Sequence, residues 1–337
     1  WMTGAGSAGL TQLIAAGGAL VLVVDAGGGT TDLSLVRVEK VSDAPRITRV
    51  AVGRHLLLGG DNMDLALAHA VEPRFGVERL DVASFAQLVA ACRHAKETLL
   101  AEDGPQDAPV AIAARGANLV GRTRTARLGR EEVERIVLDG FFPFVTADAR
   151  QEQARGGLVA FGLPFERDAA ITRHIASFLR RHLPEGESPD ALLLNGGVVR
   201  ALRIASRLIE VIESWRGRAI ARLPHADPDL AVARGAVAYA QARHGLRLRI
   251  GGGSARGYFV RVASEPEEPR AVCVIPRAAE EGASYVAKGR TFALAVGRPA
   301  RFDLFASDDA LAGPGDLVDI DGERFEPLPP LVTRFET

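Results

Sequence analysis

Lysine, cysteine and aromatic residues are all scarce in this 337-residue chain, and each shortage excludes something. Two cysteines, Cys92 and Cys273, are too few for a disulfide framework and too isolated for a metal knuckle, which fits a reducing cytoplasm. The apolar run over 13–24 is interrupted by Gly17 and Gly18 and ends at Asp25, far short of the roughly 20 apolar residues of a membrane span. No basic segment precedes it, so it does not read as a signal peptide, and no membrane partner is expected. Charge of one sign is also missing: 41 Lys plus Arg face 42 Asp plus Glu, without segregation along the chain, so nucleic acid is not an expected partner. Only Lys40, Lys96 and Lys288 are lysines, and with so much Ala and Gly this Arg usage reads as coding bias. The seven histidines show no zinc-ligand spacing. There is no Gly-x-Ser-x-Gly elbow, and neither cysteine has a nucleophile's neighbourhood.

What remains is a folded composition, 47% hydrophobic and 25% charged, in a chain long enough for about two domains. Residues 20–25 and 33–38 read as strands around a glycine turn, and 46–58 as a third strand of a meander. Apolar spacing predicts helices over 62–75, 82–100, 168–182 and 201–215, and from 130 onward. A small β-unit is expected over 110–114 and 119–124, a loop around Gly156 and Gly157, and a buried strand over 191–194. Asp227-Pro228-Asp229 opens a further helix. Beyond Arg249, runs at 258–262, 271–275, 291–296 and 300–305 read as an all-β domain.

The segment Asp25-Ala-Gly-Gly-Gly-Thr-Thr-Asp32 carries the clearest chemistry. Glycines without Cβ let backbone amides surround phosphate oxygens, and carboxylates on either side can hold hydrated Mg²⁺. It lacks the Lys of a Walker loop, and it joins two strands, whereas a Walker loop or dinucleotide fingerprint opens a helix. A plain turn is the competing reading of the same residues.

Five segments in order resemble the DnaK-like, 70-kDa heat-shock chaperone family: the Asp25 hairpin, Leu58-Gly-Gly-Asp-Asn-Met-Asp64, Cys92-Arg-His-Ala-Lys-Glu-Thr-Leu99, Leu194-Asn-Gly-Gly-Val-Val-Arg200, and Asp227-Pro-Asp-Leu-Ala-Val-Ala-Arg-Gly-Ala236. The resemblance implies an α/β, actin-like (ribonuclease-H-like) ATPase lobe over 20–247, a β-rich domain over 248–337, and a Gly/Ala-rich end of a preceding lobe over 1–19. It implies ATP/ADP and Mg²⁺ as cofactors, and unfolded-protein clients or co-chaperones as partners. By residue, Asp25 would orient a Mg²⁺-bound water, and Asp32 would support the metal's outer shell. Asp25 and Thr30 would be the catalytic residues, with Thr30 contacting the phosphates beside Thr31 and the amides of Gly27, Gly28 and Gly29. Gly59 and Gly60, in the turn after the meander, would also contact the nucleotide, and Lys96 would reach the ribose. Gly196 and Gly197 would bring backbone to the nucleotide, Arg200 would stack on adenine, and Asp229 would fix the pocket's edge.

Departures from the family pattern are Arg93, Glu97 and Leu100 in place of Glu, Arg and Ser, and Val198-Val199 in place of Ser-Thr. The family's first phosphate motif and catalytic Lys would precede Trp1, so the chain is expected to be cut from something longer. Two alternatives stay open: an actin-fold small-molecule kinase, which the β-rich tail disfavours, and a nucleotide-free interaction module with a decayed pocket.

Overall fold

The computed structural model describes residues 11–15, 17–42, 44–77, 79–113, 123–151, 166–224, 227–262, 269–286, 299–308, 311–322 and 324–334. The expected loop at Gly156 and Gly157 and the expected strand over 291–296 lie outside them, as do residues 114–122 of the small β-unit. The fold is mixed α/β and divides into two compact units: Trp1–Ile47 with Ala51–Arg249, and Thr48–Val50 with Ile250–Thr337.

In the first unit, β1 (Ala19–Ala26) and β2 (Thr31–Val41) form an antiparallel hairpin, followed by β3 (Ala44–Val52). Then come helices α1 (Gly60–Val71) and α2 (Val82–Leu99) and a second hairpin of β4 (Asp107–Ala113) and β5 (Thr123–Gly129). Helix α3 starts at Arg130–Val133, widens to a π-turn over Glu134–Leu138 and closes over Asp139–Phe141. Helix α4 (Ile171–His182), β6 (Ala191–Asn195), α5 (Leu202–Arg216), β7 (Ala221–Arg222) and α6 (Ala231–Arg243) complete the unit. Strands run in the order β7-β6-β1-β2-β3.

β1 sits inside that sheet, antiparallel to β2 and parallel to β6, so its apolar run is explained by burial of both faces. Leu22 and Val24 are fully buried on one face, while Val21 packs with Leu13, Val38, Ile47, Ala191 and Leu223 on the other. β2 alternates from Thr31 through Leu33 to Leu35, as a strand with one covered face should. Helix α5 buries Ile204, Ala205, Leu208, Val211 and Ile212, one stripe at helical spacing. Its C-terminus stops at Gly217 in the left-handed region, φ 65°. At the start of α2, the Asp81 carboxylate accepts from the amides of Ala83 and Ser84, both at 3.1 Å.

Sequence expectation and structure differ at some ends. The expected helix over 62–75 is α1 plus a separate 3₁₀ turn, Glu72–Phe75, because Pro73 lacks the amide that would continue the α-ladder. Helix α4 begins at Ile171 rather than 168, since the Asp168 carboxylate accepts from the Ala170 amide at 3.0 Å and holds a turn there. Strand β3 ends at Val52, with Leu56 returning as a single bridge to Thr31.

The second unit holds β8 (Ile250–Gly251), β9 (Gly257–Val262), β10 (Arg270–Ile275), β11 (Pro299–Ser307), β12 (Leu317–Asp319) and β13 (Glu326–Arg334). Its antiparallel five-stranded sheet runs β12-β10-β9-β11-β13 around Phe259, Ala271, Cys273 and Phe325. Phe259 and Phe325 meet edge to face at 5.1 Å. Strand β13 was not expected from its sequence, which contains Pro327, Pro329 and Pro330; it lies at the sheet edge, where a missing amide is tolerated.

Candidate functional site

The β1–β2 register sets Asp25 directly opposite Asp32, and Ala26 opposite Thr31. Residues opposite one another in an antiparallel pair project to the same face, where like charges repel. Each carboxylate is compensated separately. Asp25 Oδ2 accepts from the Asn195 amide at 3.0 Å, across the parallel β1–β6 pairing that places Asn195 beside it. Asp32 accepts from the Thr30 hydroxyl at 3.3 Å and is paired through its other oxygen with the imidazole of exposed His55.

Residues 27–30 turn tightly, with the Gly27 amide donating to the Thr30 carbonyl at 2.8 Å. The loop is clamped to α1: the Gly60 amide donates to the Gly27 carbonyl at 3.0 Å, and the Asp61 amide to the Gly28 carbonyl at 2.8 Å. Thr31 is fully buried, and its hydroxyl donates to the Leu58 carbonyl at 2.8 Å, tying the hairpin to the turn before α1.

Two further segments join the glycine loop at Gly60. A methyl group there would stand 3.4 Å from Val198 Cγ2, 3.6 Å from Lys96 Nζ and 3.8 Å from Gly28 Cα. Lys96 is buried and makes a 2.6 Å ion pair with fully buried Asp64, with its ammonium also donating to the Gly60 carbonyl at 3.3 Å. Arg93 donates to the other Asp64 oxygen at 2.7 Å and pairs with Asp61 at the lip of the loop. The Asp64 hydrogen bond holds the Arg93 guanidinium above its ordinary pKa.

Gly196 follows β6 at φ 92°, and a Cβ there would lie 2.2 Å from the Ala26 carbonyl oxygen, so the glycine turn is wedged against the end of β1. Gly197 leads into a 3₁₀ turn, Val198–Arg200, in which both valines are buried. Arg200, half exposed, pairs with Asp229 at 2.5 Å and lies 3.8 Å from Asp227. The Asp229 hydrogen bond raises the Arg200 pKa, helped by the charges of Asp229, Asp227 and Glu97. Asp227 in turn caps the turn Pro228–Leu230 by accepting from the Asp229 amide at 3.0 Å.

The structure therefore gathers Asp25, Thr30, Asp32, the glycine loop, Gly59, Gly60, Lys96 and the Gly196 turn, while Arg200 and Asp229 form a pair of their own. Sequence reasoning assigned no role to Asn195, His55, Asp61 or Asp64. An Asn ending a buried strand just before a Gly-Gly turn was a readable signal; the partner of His55 was not, because the turn after β3 decides it. Two opposed carboxylates suit Mg²⁺ held through its water, a metal that keeps much of its hydration shell. Among the described residues no cluster of three or more His, Cys, Asp or Glu forms a direct metal cage.

By fold and site this is a mixed α/β unit carrying a glycine hairpin between two opposed carboxylates, accompanied by a β-rich unit. No family model matches the chain. Over 188 residues it is 29% identical to the chaperone protein HscA homolog of Variovorax paradoxus (strain S110), a stretch covering 54% of this chain. The chain spans only 29% of that relative's length. Among the described residues no helix is long and apolar enough to cross a membrane.

Proposed function

We propose that the chain is the ATP-binding and hydrolysing portion of a DnaK-like cytoplasmic chaperone. In this reading residues 20–247 are an actin-like nucleotide lobe, 1–19 end a preceding lobe, and 248–337 are a β-rich domain for clients or co-chaperones. The observation that carries it is the placement of Asp25 and Asp32 opposite one another on one sheet face, on either side of a glycine loop seated on α1. Like charges so placed repel, and a cation shared between them would relieve what the separate partners of each carboxylate leave. The similarity to the HscA homolog supports the same reading.

Asp25 and Asp32 would hold Mg²⁺ through its water, and the ion when bound would neutralise phosphate charge. Amides of Gly27, Gly28 and Gly29 and the Thr30 hydroxyl would bind the β- and γ-phosphates, and Asp25 would orient the attacking water. Thr31, Gly59 and Gly60 keep the loop seated on α1. Gly196 and Gly197 would let the backbone approach the nucleotide. Lys96 would serve the ribose and Arg200 the base, with Asp229 fixing the arginine. Titration calorimetry with ATP and ADP in Mg²⁺ tests this. Saturable binding is expected, weakened about tenfold or more by Asp25→Asn without change in melting temperature; binding indifferent to that substitution would remove Asp25 from the site.

The second reading, a nucleotide-free interaction module, is favoured by one observation: Lys96 and Arg200 already have carboxylate partners, Asp64 and Asp229. It predicts no saturable nucleotide binding at all.

A further inference from the structure

Asn195 is the last residue of β6, and its amide is the group that touches Asp25. An ionised carboxylate has no hydrogen to give, so the 3.0 Å contact to Asp25 Oδ2 must be made by the amide nitrogen as donor. The contact is held from two directions. Asn195 is the register partner of Asp25 in the parallel β1–β6 pairing, and Gly196 next to it is wedged against the Ala26 backbone. Neither strand can slide without losing both constraints.

The chemistry of the donor matters as much as its position. Lys or Arg at this place would orient the Asp25 carboxylate and cancel its charge. A primary amide orients it and leaves the full negative charge in place. The opposite carboxylate is treated differently, since Asp32 faces the His55 imidazole and the Thr30 hydroxyl. The two members of the pair are therefore not equivalent.

We infer that Asn195 is a positioning residue for the metal side of the site: it commits Asp25 Oδ2, fixes the carboxylate's rotation, and leaves Oδ1 to accept from metal-bound water. The inference rests on the nucleotide and Mg²⁺ reading above. It states that Asn195 governs how strongly Mg²⁺ strengthens nucleotide binding, and has little part in holding the nucleotide itself. An apolar residue at 195 would leave Oδ2 without its donor and the carboxylate free to turn.

The test is calorimetric titration of the chain with ADP, once in Mg²⁺ and once in EDTA, for the wild type, Asn195→Val and Asn195→Gln, with thermal unfolding of each. The wild type is expected to bind more tightly in Mg²⁺. Asn195→Val should retain its affinity in EDTA within about twofold and lose about ten- to a hundredfold of the Mg²⁺ enhancement, the usual cost of removing a partner that orients a metal-facing group. Asn195→Gln keeps the amide on a longer stem and should lose less. A full Mg²⁺ enhancement in Asn195→Val overturns the inference, as does an equal loss in Mg²⁺ and EDTA, which would mark a merely structural residue. If Asn195→Val does not fold, Asn195→Gln decides: enhancement below the wild type at unchanged EDTA affinity supports the inference, and any other result overturns it. A wild type that binds ADP without Mg²⁺ enhancement overturns this inference alone, whereas one that binds no nucleotide overturns the reading beneath it before any substitution is made.

Discussion

Gly59 and Gly28 meet backbone to backbone: a methyl group on Gly59 would lie 2.3 Å from the Gly28 carbonyl oxygen and 2.6 Å from that of Gly27. The same two carbonyls accept the Gly60 and Asp61 amides, so the glycine loop and the first turn of α1 move as one piece. Gly59→Ala should force them apart, costing about 1–3 kcal/mol of stability and weakening nucleotide binding with it. Gly29→Ala serves as the stability control, because a methyl there meets nothing within 4 Å. Urea unfolding of both variants checks this, and equal midpoints would show that the loop is not seated on α1.

Lys96 and Asp64 form a buried ion pair at 2.6 Å. Removing one partner of such a pair strands the other charge; Arg93 remains on Asp64, so the cost of Lys96→Met falls near the low end, about 3 kcal/mol. In a unit of this size that is a fall of roughly 6–12 °C in melting temperature. The double variant Lys96→Met with Asp64→Leu should recover part of the loss. An unchanged melting temperature for Lys96→Met would show the ammonium to be hydrated rather than paired.

Burial pushes the Cys92 thiol up to about 12 from its usual 9.0, with the Asp64 charge adding to the effect. The thiol stays protonated in the folded chain while the unfolded chain ionises above pH 9, so the unfolded state binds fewer protons there. Stability from this group is complete below pH 9 and declines between pH 9 and about 12, on the order of 1.4 kcal/mol per pH unit. Alkylation should be slow in the folded protein at pH 8 and fast in urea. Cys273 is held up in the same way, to about 11. Rapid native alkylation of Cys92 at pH 8 would contradict its burial.

Arg200 is the one cation expected at the base, and it is tied to Asp229 while Glu97 adds negative charge nearby. With a carboxylate at 97 in place of a second stacking cation, ATP and GTP should bind within about tenfold of each other, or roughly 1.4 kcal/mol. Arg200→Ala should weaken both and leave the melting temperature nearly unchanged, since its ion pair is largely exposed. Competition titrations that place ATP far ahead of GTP would show that Arg200 alone selects the base.

Much of the first unit was legible because its signals are local. Three glycines between Val-rich and alternating runs mark the β1–β2 hairpin, and helices α2 and α5 follow the spacing of their buried residues almost to the terminal residue. Strand β13 was hidden because proline reads as a strand breaker unless one knows that the strand lies at a sheet edge. The partners of the charged residues were hidden for another reason. Lys96 lies 32 positions after Asp64, Asn195 lies 170 after Asp25, and His55 lies 23 after Asp32.

The sequence by itself determined that Asp25 and Asp32 flank a glycine turn, that a buried strand ends at Asn195 before two glycines, and that helices and a β-rich stretch come in this order. These follow from backbone preferences and apolar periodicity, which act over a few residues. Only the tertiary structure decided that Asp25 faces Asp32 across the register and accepts from Asn195, that Lys96 pairs with Asp64, and that Gly59 admits no side chain. Each of those depends on which strand lies beside which and how close two backbones come, and that proximity is set by packing the whole sheet and its helices.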